Sequence, residues 1–448
     1  MALSNRHNLD QYFALVQSLD IRRIFAAITG LIFVALYFVA SIPALGGSGF
    51  FQSYITSFRF LANPAVMVEE GYKKFGKEGI FRAPTPINWI VVLSPEQHQR
   101  ESKGPNGHLL SFDAANANNS SGEYLLGPGV FRYPYHLSVI RGPMIKNTEW
   151  LEEMRNEINV TCEELIPLSS QWKAITVLPT VRTLAARALH RIMFADPDLY
   201  RNRSFIQVMT DISVEHINSI YKFMFLPNFI KPVAVPLITS LPRMRKKAYA
   251  FLGPKIEERL KGNLTDKQDD LISHFIEAVE DQHRNAPSLF IRILQLNTAV
   301  IHGISETAFI ILMELAARQE YIQPMREEIE EIVLQHGWSK TALSLMGKLE
   351  SFMMETIRVN SPHPLNSPRK ALTDYVLPNG ICIPKGSMVS VVESARHNDE
   401  AVYPNAKQFD GLRFYNNNRL AVKSGTQPRT FTSITPDFIV FGLGPQAW

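Results

Sequence analysis

Cysteine is almost absent: the 448 residues hold only Cys162 and Cys382. A cysteine-rich zinc site is impossible, a disulfide framework is not indicated, and a reducing compartment fits. An excess of one charge is also lacking, since 46 basic and 42 acidic residues leave +4. No general surface for neutralising phosphates follows, and nucleic acid is not an expected partner. There is no Walker loop, no HExxH and no GxSxG, so phosphotransferase and hydrolase chemistry have no support in the sequence. Apart from Gly46-Gly47-Ser48-Gly49, no Gly/Ser-rich, Pro-rich or single-charge linker divides the chain, and no internal repeat is found. The remaining composition, 46% hydrophobic and 20% charged, is that of a globular protein.

What is present begins with an apolar run. Ile24 to Ile42 contains no charged residue, and at about 1.5 Å per residue it spans roughly 28 Å, enough for one transmembrane helix. Residues 1–23 precede this anchor, 43–60 read as a neck, and 61–448 as one large body. Arg6, Arg22 and Arg23 before the run, against Arg59 after it, favour a cytoplasmic N-terminus on charge alone. In the body, 64–80 look helical and 87–95 look like a buried strand. From about 148 to 360, apolar residues recur at three-to-four spacing almost throughout. Around Pro378-Asn379-Gly380 a hairpin and a following strand are expected. The class is mainly α with a minor β-sheet (α+β).

The longest predicted helix starts at Pro287 and runs to about Gln319, interrupted by His302, Gly303, Ser305, Glu306 and Thr307. A polar cluster with a glycine inside an apolar helix fits either a kink with an interhelical hydrogen bond or a helix crossing a bound cofactor. Further on, Glu355-Thr-Ile-Arg358 puts a carboxylate and a guanidinium on one helical face. Glu152 and Arg155 have the same spacing in a charged stretch and are assigned no role, whereas Glu355 sits in apolar SFMMETIRV. A buried pair needs further partners, and Arg413 in FDGLRF can complete a Glu-Arg-Arg triad. The terminal Gly442-Leu-Gly444 is not a dinucleotide fingerprint, because no helix follows it.

In this order, the anchor, the interrupted helix, ETIR, FDGLRF and FGLG resemble the cytochrome P-450 superfamily of haem-thiolate monooxygenases. AVIHGISET, ARQEYIQPMREEI and GWSKTALSLMGKLESFMMETIR look most like membrane-bound fungal enzymes of the kaurene-oxidase-like group, which oxidise terpenoids and other secondary metabolites. The resemblance implies haem, NADPH acting through a reductase, a lipophilic small-molecule substrate, and a body on the cytosolic face of the endoplasmic reticulum membrane. It implies that Glu355, Arg358 and Arg413 form the structural triad. Arg369 in SPRKAL, and His136 with Arg141 in YHLSVIR, become haem-propionate contacts, and Phe441, Gly442 and Gly444 pass close to the haem.

Two positions depart from the family pattern. The oxygen-activating helix carries His302 at the usual acid position and Gly303 at the usual threonine, leaving Thr307 as the nearest alcohol on nearly the same face. The thiolate cysteine is expected seven residues after Phe441, where Trp448 stands. Indole offers only an N–H donor and cannot bind iron as a thiolate does. On this pattern the 448 residues are expected to be a truncated and inactive form of a monooxygenase, with no metal ligand of their own.

The expected orientation is testable. With the body cytosolic, sequons such as those at Asn159, Asn202 and Asn263 stay unmodified in yeast microsomes, so endoglycosidase treatment should leave gel mobility unchanged. A mobility shift traced to any of these asparagines would reverse the orientation.

Overall fold

The computed structural model describes residues 42–444, apart from 48, 77–78, 87, 105–106, 120–121, 128, 131–132, 145–148, 224–225, 227–228, 263–268 and 362. The expected anchor at 24–42, apart from its last residue, lies outside the described residues, as do Asn263 and Trp448. The body that the sequence suggested as single divides into two compact units. One comprises residues up to Ser111 together with Lys370–Val391, and the other Phe112–Arg369 with Val392 onward. No linker marks this division, because the first unit is assembled from distant stretches of chain.

In the first unit, helices α1 (Phe50–Ala62) and α2 (Pro64–Phe75) precede strands β1 (Phe81–Pro84) and β2 (Trp89–Leu93). The segment 43–60 is thus not simply a neck: Ala44 bridges Arg82, and α1 begins at Phe50. Gly71 on α2 is needed for contact with β1, since a Cβ there would meet the Phe81 ring at 2.7 Å. β1 pairs antiparallel with β2, Phe81 opposite Val92. β2 ends where the Ser94 side chain accepts from the Gln97 N–H and caps α3 (Pro95–Lys103). The sheet is completed by β3 (Leu110–Ser111), β4 (Leu365–Ala371) and β7 (Met388–Val392), in the order β1-β2-β7-β4-β3. β7 runs parallel to β2, so two strands almost 300 residues apart share one buried layer. The expected hairpin is short: β5 (Tyr375–Val376) and β6 (Cys382–Ile383) exchange only two residue pairs. Ile80, Val91, Leu93, Leu110, Ile383 and Val389 form this unit's core.

The second unit is helical. Its centre is α8 (Ala286–Ala317), packed by α4 (Glu149–Leu165), α5 (Val177–Phe194), α6 (Arg203–Phe223) and α7 (Leu241–Lys261). Asn285 caps α8 by accepting from the Ser288 N–H, and Pro287 occupies the first turn, where no N–H is required. By length and composition α8 could cross a membrane. Its first half is instead buried in protein, with Leu289, Phe290, Ile293 and Leu294 at 4% exposure or less. Asn297 locks three helices together: its Oδ1 accepts from His190 Nε2 on α5 at 2.8 Å, and its Nδ2 donates to Met209 O and Ser213 Oγ on α6, each at 3.0 Å. His190 is fully buried, which pushes its pKa down to about 4 and keeps the ring neutral. Two more helices, α9 (Ile322–His336) and α10 (Gly347–Val359), lead towards β4, and α11 (Arg413–Lys423) packs on α10.

Candidate active site

Helix α10 carries Glu355 and Arg358 one turn apart, and both are fully buried. Arg358 donates from Nε and Nη2 to the two Glu355 oxygens at 2.7 and 2.8 Å. Arg413 Nε is 3.1 Å from each of the same oxygens. The remaining guanidinium donors reach backbone carbonyls, from Arg358 to His397 O and Ala406 O, and from Arg413 to Pro404 O and Gln408 O. Asp410 N–H adds a donor to Glu355 Oε1. Such complete satisfaction is what allows ions to be buried. Glu152 and Arg155, of identical spacing, lie at 3.6 Å with Glu152 largely exposed, the weak surface pair that the sequence suggested.

From this cluster a chain of contacts runs to a cavity. His397, whose carbonyl Arg358 holds, accepts the Ile439 N–H on Nε2 at 3.2 Å. Burial first, and then Arg358 and Arg396, push its pKa down to about 3, so Nε2 remains an acceptor. The following loop is fastened to β4. Asn366 Nδ2 donates to Ile439 O at 3.1 Å, Leu443 N–H donates to Ser367 Oγ at 2.7 Å, and Arg369 Nη2 donates to Leu443 O at 2.8 Å. Gly442 and Gly444 adopt φ of +85° and +81°, a region that favours glycine, and this bends the loop over the strand. Between loop and strand is a cavity of about 200 Å³, lined by Phe112, His363, Asn366, Arg369, Val440, Phe441 and Gly442 among others.

Behind the lining residue Asn366 stands a buried acid. Glu393 accepts from Ser361 Oγ at 2.5 Å and from Asn366 Nδ2 at 2.5 Å, and burial pushes its pKa up to about 7. Arg369 is 1% exposed, and burial lowers its pKa to about 10, which leaves it a cation at neutral pH. Asp113 interacts electrostatically with both Arg369 and Arg141, while burial raises its own pKa above the usual carboxylate value. Of the three expected basic contacts, Arg141 and Arg369 thus both act on one carboxylate. His136 does not line the cavity. It is buried, and burial followed by the charge of Arg292 lowers its pKa to about 4.

The expected proton-handling residues lie along the middle of α8. His302 Nδ1 is 3.9 Å from Glu306 Oε1, and that carboxylate accepts from Arg182 Nη2 at 2.6 Å. Burial lowers the pKa of His302, so at neutral pH it is an imidazole rather than an acid. Gly303 faces open space, Thr307 is half-buried, and Ser305 Oγ bonds back to Ile301 O at 2.5 Å.

A haem would need basic groups for two carboxylates, apolar walls and an axial donor for iron. Arg369, Phe112, Val440 and Phe441 fit the periphery of such a group. The volume is below the roughly 300–1,000 Å³ of small-molecule sites, and no cysteine is among the lining residues. Cys162 lies on α4, and Cys382 belongs to β6 of the other unit. Glu393, Asn366, His363 and Asp113 escaped the sequence reading. Glu393 alone left a signal, as a charge directly after the apolar strand MVSVV.

Comparison with known proteins gives one consistent family. The cytochrome P450 profile matches residues 137–447. Cytochrome P450 monooxygenase 71 of Postia placenta is 31% identical over 93% of this chain and 86% of that protein. Cytochrome P450 monooxygenase CYP512U6 of Ganoderma lucidum is 26% identical over 91% and 81%. Among solved structures, a retinoic acid-bound cyanobacterial CYP120A1 superposes with a TM-score of 0.63 at 18% identity, covering 91% of this chain and 85% of that one. A zebra fish cytochrome P450 with abiraterone gives 0.61 at 15%, covering 86% of each chain.

Two predictions follow from this geometry. Glu355→Ala or Arg413→Ala leaves a buried charge without its partner and should lower stability by about 3 to 5 kcal/mol, whereas Glu152→Ala should change it by less than about 1. Equal chemical-denaturation midpoints for all three variants would contradict the triad. Glu393 has a pKa of about 7 when folded and about 4.3 when unfolded. Its protonated form favours the native state. That contribution is complete below about pH 4.3 and is lost as pH rises through 7, on the order of 3 kcal/mol. Glu393→Gln should therefore flatten the stability profile between pH 4.5 and 7 and raise stability at pH 8. An unchanged slope would show that the carboxyl does not titrate there.

Proposed function

The chain belongs to the cytochrome P450 family, and from that premise we infer that it is a fungal monooxygenase oxidising a lipophilic secondary metabolite, a terpenoid by its likeness to the kaurene-oxidase-like group. The observation that carries this reading is the cavity wall, where a buried cationic Arg369 faces apolar Phe112, Val440 and Phe441. In the family, bound haem supplies oxygen activation, with electrons from NADPH delivered by a reductase. In this protein Arg369 and Arg141, which both act on Asp113, would balance the haem carboxylates, and Gly442 and Gly444 would bring the loop backbone close to it. Gly303 has no hydroxyl; His302 directly precedes it, and Thr307 follows one turn later on nearly the same face as the alcohol for proton handling. Residues 24–42 would anchor the body to the cytosolic face of the endoplasmic reticulum membrane, where lipophilic substrates partition.

A specific observation favours a second reading for these 448 residues as they stand, namely no turnover. Among the described residues, none that lines the cavity is a cysteine. Without an anionic sulfur, nothing pushes electron density onto iron during O–O cleavage.

Reconstitution with haemin, a reductase and NADPH tests both readings. The unmodified chain should give no thiolate-type carbon monoxide difference band. Trp448→Cys should restore part of it, because a thiolate also needs surrounding donors to hold it. With a restored band, incorporation of one ¹⁸O atom from labelled dioxygen into a terpenoid would carry the monooxygenase reading, and its absence would count against it. A thiolate-type band from the unmodified chain would mean that Cys162 or Cys382 reaches the iron, and would overturn the placement of the site.

A further inference from the structure

Three side chains of β4 fasten the loop Ile439–Leu443 over the cavity. Ser367 Oγ accepts the Leu443 N–H at 2.7 Å, and Arg369 donates to Leu443 O at 2.8 Å. The Asn366 amide lies 3.1 Å from Ile439 O and 3.3 Å from Val440 O. The strand is bent to make these contacts: Ser367, directly before Pro368, has a φ of +52°. Such a left-handed serine is strained and persists only where its surroundings over-determine it.

Two of the attachments are fixed, since a serine hydroxyl does not titrate and Arg369 stays a cation at neutral pH. Asn366 differs. Its Nδ2 has two hydrogens but faces three acceptors, because Glu393 Oε2 is 2.5 Å away in addition to the two loop carbonyls. How Asn366 divides its hydrogens therefore depends on Glu393.

Glu393 has no solvent exposure, and its other oxygen accepts from Ser361 Oγ at 2.5 Å. The charged and titratable groups around it are engaged or neutral. Arg396, three residues on, donates to Asp437 at 2.8 Å, and Asp437 also receives Arg429. Arg369 on β4 is bound to Leu443 O. Burial lowers the pKa of His397 to about 3, and it lowers that of His363, beyond Ser361. Protonated, the Glu393 carboxyl is a neutral partner for Ser361 and Asn366. Ionised, it draws the Asn366 hydrogens away from the loop carbonyls and requires water, which reaches it when the loop parts from β4.

We propose that Glu393 is a positioning residue that acts through Asn366: it holds the loop Ile439–Leu443 closed over the cavity while protonated and releases it on ionisation. With the loop closed the cavity is about 200 Å³, below the usual size of a small-molecule site, so release is also the step that enlarges it. The inference concerns the loop whatever group the cavity takes, and it stands or falls separately from the monooxygenase reading.

Hydrogen exchange of the full 448-residue chain in detergent, without haemin, tests it at pH 5, 6 and 7 after correction for intrinsic amide rates. The closed loop keeps the proton, so protection is complete below about pH 4.3 and is lost as pH rises through 7. Peptides covering 439–443 should lose protection by at least about tenfold between pH 5 and 7. Low urea should not accelerate this exchange, because the opening is local. Glu393→Gln, a neutral carboxamide, should keep the loop protected with no pH slope. Asn366→Ala should expose the loop at every pH, also without a slope, whereas Ser361→Ala, which leaves the Asn366 link intact, should retain it. If Asn366→Ala does not fold, Glu393→Gln decides. A loop indifferent to pH in the wild-type chain, an equal slope in Glu393→Gln, or loop exchange as steep in urea as that of α6 overturns the proposal.

Discussion

The structure around the cavity depends on one buried carboxylate. Glu355 has no solvent exposure, yet it is held by two guanidiniums and a backbone N–H, so its desolvation is offset by charge-assisted hydrogen bonds rather than by water. The two arginines then use their remaining N–H groups on the carbonyls of His397, Pro404, Ala406 and Gln408. A stretch with little regular secondary structure is thereby given a single conformation. Because the His397 ring in turn receives Ile439, the loop over the cavity is positioned by an ion cluster on a helix that does not itself line it.

A second constraint runs through the helical unit: its buried histidines are neutral. His136, His190, His216 and His397 all have pKa values lowered chiefly by burial. For His190 and His397 neutrality fixes the hydrogen-bond roles, one ring nitrogen donating to Asn297 and the other accepting from Ile439. Glu393 obeys the same rule from the acid side, since an ion without a counter-charge at its depth is disfavoured. The interior thus holds two kinds of polar group: paired ions, as in the Glu355 cluster and the buried Glu157–Arg187 pair, and neutral hydrogen-bonding groups such as these histidines. Arg369 stands apart as a buried cation at the cavity, kept in place by the Leu443 carbonyl and the field of Asp113.

Local pattern carried much of this. The triad was legible because Glu355 sits in an apolar helix and its duplicate, Glu152, does not. The interrupted helix was legible from its period, and its limits differ from the expected ones by one or two residues. The two-unit division was not legible, because β2 and β7 pair across almost 300 residues and a parallel pairing leaves no mark in either strand. Nor was the binding of Asn366 to Glu393, where an asparagine inside the proline-containing strand β4 meets an acid 27 residues later. The helix that begins at Phe50 was not legible for a related reason: the glycines before it suggested flexibility, while its contact with β1 is made by residues distant in sequence.

By itself, then, the sequence determined which segments are helical, which charges could be buried together, and the family to which their order belongs, since each of these is written in residues a few positions apart. Tertiary structure alone decided the protonation states and the partners. His302 occupies the acid position by order along the chain, but only the fold adds the burial that further disfavours its protonated form. His136 and Arg141 lie five residues apart, yet the fold puts one under the charge of Arg292 and lets the other act on Asp113. A side chain's charge and direction depend on the dielectric and the neighbours that distant segments bring to it, and no local spacing encodes those.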